Sequence, residues 1–206
     1  MKINYHQRYL ETIKTLDHRP TLLLHLCCGP CSANVIKDLD EYFDITLFYS
    51  NSNIYPPTEY QRRYQELVEF IKVYRPAIKI IEKPYEPIQF LDHLSLYGNI
   101  PEGGKRCHLC YQLRMKDAYD YASKNNYEYY TTVLSVSPHK NSQWINEIGI
   151  SLEQGNTKFL QSDFKKDSGY LKSTQIANEY HLYRQTYCGC VYSYQQSLNR
   201  KKDNTK

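Results

Sequence analysis

Short apolar runs alternate along the chain with longer segments in which apolar positions recur at helical spacing. Five runs have the length of strands, the last one weakly: residues 22–26, 45–49, 77–81, 129–134 and 158–161. The helical segments are 5–16, 32–40, 58–74, 86–97, 107–125, 141–153, 173–179 and 191–200. Nearly all-apolar strands that alternate with helices indicate a parallel sheet covered on both faces. The pattern predicts a single Rossmann-like α/β domain over residues 1–200, followed by a polar tail at 201–206.

The length and net charge of the chain exclude few classes of protein. The 206 residues suffice for one sizeable core. A net charge of +4 permits an anionic partner without requiring one. Charges throughout residues 1–16 argue against a signal peptide, and no apolar run approaches the ~20 residues of a membrane span. We therefore expect a cytoplasmic protein without membrane contact, in which thiols stay reduced.

The cysteines are the most informative polar residues. Seven cysteines occur in three tight groups: Cys27, Cys28 and Cys31; Cys107 and Cys110; Cys188 and Cys190. The first group lies at the turn from the first strand into a helix, the second opens a helix after a glycine-rich loop, and the third precedes the last helix. Thiolates are soft metal ligands and redox groups, and helix N-termini stabilise their charge. This grouping predicts a metal or electron-transfer site where the three groups converge.

Three kinds of thiol site compete at this point. The Cys28–Cys31 tetrapeptide matches a thioredoxin dithiol, but that oxidoreductase hypothesis leaves the other two pairs unexplained. A zinc site built from Cys107 and Cys110 with Cys188 and Cys190 would suit a zinc-stabilised RNA-binding module, but it leaves the first group without a role. An iron–sulfur cluster needs four thiolates, and seven cysteines supply these with three left for a second site.

Six segments, taken together and in this order, resemble the epoxyqueuosine reductases of the QueH family, which do not depend on cobalamin. They are HLCCGPCS at 25–32, YSNSNIYPPTEYQRR at 49–63, RCHLCYQLR at 106–114, TTVLSVSPHKN at 131–141, FKKDSGY at 164–170 and LYRQTYCGCVYS at 182–193. Together they cover nearly the whole chain. The usual Asn-Pro-Asn of the family after the second strand is Asn51-Ser52-Asn53 here, which changes a turn.

The resemblance implies a fold related to the nucleotide-binding α-hydrolase (HUP) group. It also implies an oxidoreductase that removes the epoxide oxygen of epoxyqueuosine, at the wobble position of a tRNA anticodon. This two-electron reduction gives queuosine and water, the last step of queuosine biosynthesis. The implied partners are tRNA with epoxyqueuosine in its anticodon loop and a low-potential electron donor.

The resemblance also implies a [4Fe–4S] cluster on Cys27, Cys28, Cys107 and Cys110. Adjacent thiols reach one cluster only if the strand has already broken into the turn. In the alternative, one of the first two cysteines joins the cluster and the other binds a second, mononuclear iron, together with Cys31 and with Cys188 or Cys190. The C-x-C pair has two interpretations that stay open, a redox-active disulfide and a pair of metal ligands.

The other candidate residues have predicted roles in catalysis, in proton supply or in RNA binding. Cys188, Cys190, Cys31 and Asp163 are the predicted catalytic residues. Further candidates for proton supply are Tyr187 and three histidines within motifs: His25, His108 and His139. The predicted phosphate contacts are Lys105, Arg106, Lys165 and Lys166, with Arg114, Lys140 and Arg184 as further candidates. Residues 200–202 are expected to form a solvated basic tail. Because the substrate base must reach a buried cluster, we expect it to be splayed out of its loop.

Overall fold

Five parallel strands form one sheet in the computed structural model, which describes residues 3–98 and 100–203 of the chain. The strands are β1 (Thr21–His25), β2 (Asp44–Tyr49), β3 (Lys79–Glu82), β4 (Tyr129–Thr132) and β5 (Lys158–Phe159). The helices are α1 (Tyr5–Lys14), α2 (Gly29–Asp40), α3 (Pro57–Tyr74), α4 (Pro87–Ser95), α5 (Lys105–Lys124), α6 (Ser142–Leu152), α7 (Gly169–Glu179) and α8 (Val191–Asp203), with a 3-10 helix at Val133–Val136. The predicted α/β class with a parallel sheet is confirmed.

The strand order places β1 at the centre of the sheet, because the order is β3-β2-β1-β4-β5. Leu23 of β1 pairs with Thr46 of β2 on one side and with Tyr130 of β4 on the other. The order reverses between β1 and β4, since the chain runs outward to β3 and then returns past β1. Open α/β sheets bind ligands in the crevice beyond the carboxyl ends of the strands at such a reversal. The residues that follow β1 and β4 therefore lie where a ligand is expected.

The central strand is apolar because both of its faces are covered. Leu22 and Leu24 pack in one cluster with residues of α2 and α3, whereas Leu23 packs in a second cluster with residues of α5 and α6. All three leucines are 0% exposed. Successive side chains of a strand point to opposite faces, so a strand covered on both sides has no polar face. The run of apolar residues is continuous because both faces of this strand are buried.

Several element boundaries differ from the predicted ones. The predicted strand at 129–134 ends at Thr132, whose hydroxyl accepts a hydrogen bond from the Leu134 N–H and starts the 3-10 helix. Helix α7 begins at Gly169, four residues early, where a Cβ would lie 2.0 Å from the Phe164 carbonyl oxygen. Helix α8 includes the first three residues of the predicted tail, and residues 204–206 lie outside the described part. The division of the chain at residue 200 and the relation to the HUP group stay predictions.

The described helices include none with the length and apolar character needed to cross a membrane.

Close packing of α6 on β5 gives a test of the fold. A Cβ on Gly149 would lie 2.4 Å from the ring of Phe159, which is 4% exposed. We expect Gly149→Ala to lower the free energy of unfolding by about 1–3 kcal/mol through overpacking. Adding Phe159→Leu should recover part of the loss, and Ser151→Ala on the exposed side of the same helix should change little. Urea denaturation measures all three; equal stability of Gly149→Ala and the parent would contradict this packing.

Candidate active site

The three cysteines after β1 form one compact group. Their sulfur atoms all lie within 4.8 Å of one another, and those of Cys27 and Cys28 are 3.9 Å apart. The backbone leaves strand geometry at Leu26, and α2 begins at Gly29. Consecutive side chains can therefore approach each other instead of pointing to opposite faces of the sheet. Two adjacent thiols can bind one cluster only if the strand ends before Cys27, and the structure has this break. The same turn also brings the sulfur of Cys31 close to the other two.

Hydrogen bonds among the three thiols shift their pKa values in different directions. The pKa of Cys27 is lowered because the thiols of Cys28 and Cys31 hydrogen-bond to it, and because the cations of Arg114 and Lys140 lie near it. The same bond to Cys27 raises the pKa of Cys28 to about 12, and bonds to both neighbours raise that of Cys31. Of the three thiols, Cys27 therefore loses its proton most readily. The thiolate is the form of cysteine that binds metal ions.

A buried arginine supplies positive charge behind the thiols. Arg114 of α5 is 3% exposed and donates to the Asn51 side-chain oxygen at 2.7 Å. The Asn51 amide in turn donates to the Leu26 carbonyl at 2.8 Å, so the arginine is fixed to the end of β1. Burial alone would lower the pKa of Arg114, but the charges of Cys27 and Cys110 raise it above its ordinary value. The guanidinium therefore stays charged and offsets thiolate charge in the interior.

A second buried arginine holds the C-x-C segment. Arg63 of α3 is 1% exposed, and its Nε donates to Glu59 at 2.7 Å. Its terminal nitrogens donate to the carbonyl oxygens of Cys188 at 3.2 Å and Tyr187 at 3.4 Å. Gly189 has φ +138°, and a Cβ there would lie 3.1 Å from the arginine Nη1. Glycine between the two cysteines is therefore required both by the backbone and by this close approach.

Thiols from all three groups line one cavity of about 550 Å³. Cys27 and Cys31 line it from the turn after β1, Cys107 from the start of α5, and Cys188 from the C-x-C segment. Of the other three cysteines, Cys28 and Cys190 are buried, and Cys110 lies one helical turn after Cys107. The predicted convergence of the three groups is therefore present in the structure. All seven cysteines are free thiols in it.

A glutamine reaches the first cysteine group from the segment before the C-x-C pair. The Gln185 side-chain nitrogen lies 3.3 Å from the Cys28 sulfur and 3.9 Å from the Cys31 sulfur, and the residue also lines the cavity. Neither Gln185 nor Arg63 was singled out from the sequence, although both lie within quoted motifs. Their roles arise from contacts across more than a hundred residues of chain, which no local pattern reveals.

The three histidines have different surroundings. His25 is 0% exposed, and its Nε2 lies 3.2 Å from the Ser50 carbonyl, which can only accept. Its Nδ1 therefore accepts from the Thr132 hydroxyl at 2.8 Å, and burial lowers its pKa to about 3. This ring is neutral and structural. His108 packs edge-on against Trp144, whereas His139 is exposed and lines the cavity.

Asp163 is hydrogen-bonded to residues outside the cysteine groups. Its carboxylate accepts hydrogen bonds from Ser142 at 3.1 Å and from Lys165 at 2.5 Å, and it is not among the residues that line the cavity. These contacts fix the segment before α7 to the start of α6. The predicted role of Asp163 in proton supply gains no support from this placement. Tyr187 does line the cavity, and its hydroxyl donates to the Tyr55 carbonyl at 2.5 Å.

The basic residues chosen from the sequence do not share one surface. Arg106 is 2% exposed, donates to the carbonyls of Gly98 and Ile100, and lies 4.4 Å over the Tyr192 ring. Its burial argues against the predicted phosphate contact and gives it the role of holding a loop. Lys105 is exposed, Lys165 is paired with Asp163, and Lys166 lines a separate cavity of about 460 Å³.

Other basic residues line the thiol cavity instead. They are Lys140, Arg184 and Arg200. The first two were further candidates from the sequence, whereas Arg200 was expected in a solvated tail. The end of α8 brings it to the cavity, which the charge run at 200–202 alone does not indicate.

Comparison with known proteins decides the family. The family model described as epoxyqueuosine reductase QueH matches residues 22–196. A relative named epoxyqueuosine reductase QueH from Streptococcus pyogenes is 38% identical, over 93% of this chain and 78% of its own. The chain belongs to the QueH family. A QueH relative from Staphylococcus epidermidis is also 38% identical, over 93% of this chain and 85% of its own, and one from Thermotoga maritima is 30% identical, over 84% and 90%.

The match confirms the resemblance drawn from the six motifs. It begins in β1 and ends in α8, so all three cysteine groups of this QueH chain lie within it.

The Arg63–Glu59 pair of this QueH chain gives a second test. Arg63→Met leaves the Glu59 carboxylate buried without its partner, so we expect the free energy of unfolding to fall by about 3–5 kcal/mol. The double variant with Glu59→Gln should lose less than the single arginine variant, because no unpaired charge remains. Urea denaturation of the four members of this double-mutant cycle measures the coupling. Additive losses would show that the two side chains do not interact.

Proposed function

We propose that this chain is an epoxyqueuosine reductase that acts on tRNA. The observation that carries the proposal is the single cavity lined by thiols from all three cysteine groups, at the sheet reversal of a QueH family member. The reaction takes two electrons and two protons, breaks both carbon–oxygen bonds of the epoxide, and leaves an alkene and water. A low-potential electron donor supplies the electrons. We place this reaction in the cytoplasm, where thiols stay reduced.

The proposed cofactor is a [4Fe–4S] cluster on Cys27, Cys28, Cys107 and Cys110. The donor set fits, because such clusters take four thiolates. Cys27 and Cys107 line the same cavity; the Cys28 sulfur lies 3.9 Å from that of Cys27, and Cys110 lies one helical turn after Cys107. Positive charge from Arg114 balances part of the negative charge that four thiolates would bring. When bound, the cluster would supply electrons to the substrate.

The remaining cysteines stand beside the proposed cluster. Cys31 and Cys188 line the cavity, and Cys190 is buried with its sulfur 3.5 Å from the Ser193 hydroxyl. We propose that these three residues carry the second function of the site. They do so as a redox-active pair at Cys188 and Cys190, or as ligands of a second, mononuclear iron that includes Cys31. Both arrangements place a redox group next to the space that the substrate enters.

Lys140 is the side chain best placed to assist the leaving oxygen. It lines the cavity, and although burial lowers its pKa, the charges of Cys188, Cys27 and Cys31 raise it above the ordinary value. The ammonium group therefore stays protonated at neutral pH. In the proposed reaction it donates a hydrogen bond to the epoxide oxygen and stabilises the negative charge that develops as the ring opens. Asp163, the earlier candidate, lies outside the cavity lining and is given no step.

Substitution of single cysteines tests the division of the thiols. We expect Cys107→Ser and Cys110→Ser to lose the cluster, because a serine hydroxyl is a hard and poorly ionised ligand. Cys188→Ser and Cys190→Ser should keep most of the iron and lose turnover. Iron and sulfide content with visible absorption, measured on anaerobic protein, gives the answer.

Cys31→Ser is the discriminating control in this series. Retention of the cluster iron in Cys31→Ser is expected, since Cys31 stands outside the proposed cluster set. Loss of the cluster in this variant, with retention in Cys110→Ser, would show that the compact Cys27, Cys28 and Cys31 group is the primary ligand set.

The direct test of the proposed reaction is turnover on a defined RNA. Anaerobic enzyme and a low-potential reductant should convert an anticodon stem-loop that carries epoxyqueuosine into one lighter by a single oxygen, as seen by mass spectrometry. Cys188→Ser serves as the matched inactive control. An unchanged epoxide in both the stem-loop and full-length modified tRNA, with an enzyme that holds its cluster, would refute the proposal.

A further inference from the structure

The mouth of the thiol cavity carries cations from three separate elements. Lys140 follows the 3-10 helix, Arg184 lies between α7 and the C-x-C pair, and Arg200 lies near the end of α8. Among the side chains that the structure describes, which end at residue 200, no carboxylate forms an ion pair with any of them. Glu102 is the acidic residue among the lining residues. Elsewhere only some surface cations have partners, as Lys172 has in Asp167 at 2.7 Å, so the distinguishing feature of these three is that they line one opening. Unpaired cations that converge on one opening indicate an anionic ligand.

The two arginines are more exposed to solvent than the lysine. Arg184 and Arg200 are exposed, whereas Lys140 is half-buried beside the thiols. The lysine is therefore placed to meet the part of the ligand that enters the cavity. The arginines are placed to meet what stays outside, and their guanidinium groups match the planar oxygen pairs of a phosphate.

An exposed aromatic ring lies at the same opening. Tyr170, in the first turn of α7, lines the cavity and is 43% exposed. Single exposed apolar side chains are common on protein surfaces, so the informative observation is that this ring lines the same cavity as Arg184 and Arg200. Aromatic rings beside arginines are the usual combination of surfaces that bind single-stranded nucleic acids, because bases stack on the rings and phosphates contact the cations.

The cavity volume limits how much of a nucleic acid can enter. About 550 Å³, part of which the proposed cluster would fill, is in the range of pockets for small molecules and is too small for a duplex. A nucleotide that enters alone must leave the stack of its neighbours, and its flanking phosphates remain at the opening.

We propose that Arg184, Arg200 and Tyr170 form the docking surface for the single-stranded anticodon loop. The two arginines contact phosphates that flank the inserted nucleotide, and Tyr170 stacks on a neighbouring base. The identity of the occupant rests on the proposed function, whereas the position of the surface rests on the structure. The proposed surface differs from the phosphate contacts predicted from the sequence, of which Lys165 is paired with Asp163 and Lys166 lines a different cavity.

Binding of an unmodified anticodon stem-loop to the anaerobic enzyme, followed by fluorescence anisotropy over a range of salt concentrations, tests the surface. Arg184→Gln and Arg200→Gln should each weaken binding and reduce the salt slope by roughly 0.7, the value for one lost phosphate contact with a single strand. Tyr170→Ala should weaken binding roughly fivefold or more without changing the slope, because stacking releases no counterions. Lys105→Gln and Lys166→Gln are the matched controls and should bind like the parent.

The outcomes separate this inference from the proposed function. Parent-like binding by both arginine variants, or a parent enzyme that does not bind the stem-loop, overturns the docking surface. Weaker binding by the two lysine controls instead would place the contacts at the lysines predicted from the sequence and would overturn the docking surface. A third outcome concerns the electron donor. If the arginine variants keep their RNA affinity, and lose turnover with a protein reductant but not with a small-molecule one, the surface binds the electron donor and the inference is wrong. Failure of the parent to reduce modified RNA while it binds the stem-loop refutes the reaction and leaves the surface intact.

Discussion

The end of β1 is the constraint on which the rest of the site depends. Because β1 is the central strand, paired on both sides, its direction and its last residue are fixed by the whole sheet. The Leu26 N–H still donates to the Phe48 carbonyl at 3.1 Å, while its own carbonyl accepts from the Asn51 side chain at 2.8 Å. Strand pairing therefore stops at Leu26, and the two residues that follow are free to place their thiols on one side. The order of strands then makes this point the crevice between β1 and β4, where the other two cysteine groups can reach it.

Buried positive charge is the counterpart of the thiols. Arg63, Arg114 and Lys140 all lie beside cysteine sulfur or cysteine carbonyl groups, and burial alone would lower the pKa of each. Burying a cation without a partner costs free energy of folding. Removing one partner of a buried ion pair therefore destabilises a protein strongly, even where the pair itself adds little stability. These cations find much of their compensation in the thiolates, so the charge balance of the site depends on how many cysteines are deprotonated. A cofactor that binds four thiolates as anions suits this arrangement, whereas seven neutral thiols do not.

The fold class and the convergence of the cysteines follow from local patterns in the sequence. The all-apolar run of β1 indicates burial on both faces, and a parallel sheet brings strand ends and helix starts to one edge. Side-chain direction does not follow from such patterns. Arg106 and Lys105 are neighbours in sequence, yet one holds an internal loop and the other is exposed. Arg200 reaches the cavity because of where α8 ends, and Arg63 reaches the C-x-C segment across 125 residues of chain. These contacts depend on packing between distant elements, which composition and spacing do not encode.

The proposed iron–sulfur cluster requires thiols from separate parts of the chain to act together in one cavity. Metal and acid-labile sulfide analysis of the parent protein, purified without oxygen, is the direct test. We expect a brown protein with about four sulfides and four irons per chain, or about five irons if a second one is bound, and broad absorption near ~400 nm. A colourless protein that binds zinc tightly and gains no iron or sulfide on anaerobic reconstitution would contradict the proposed cluster.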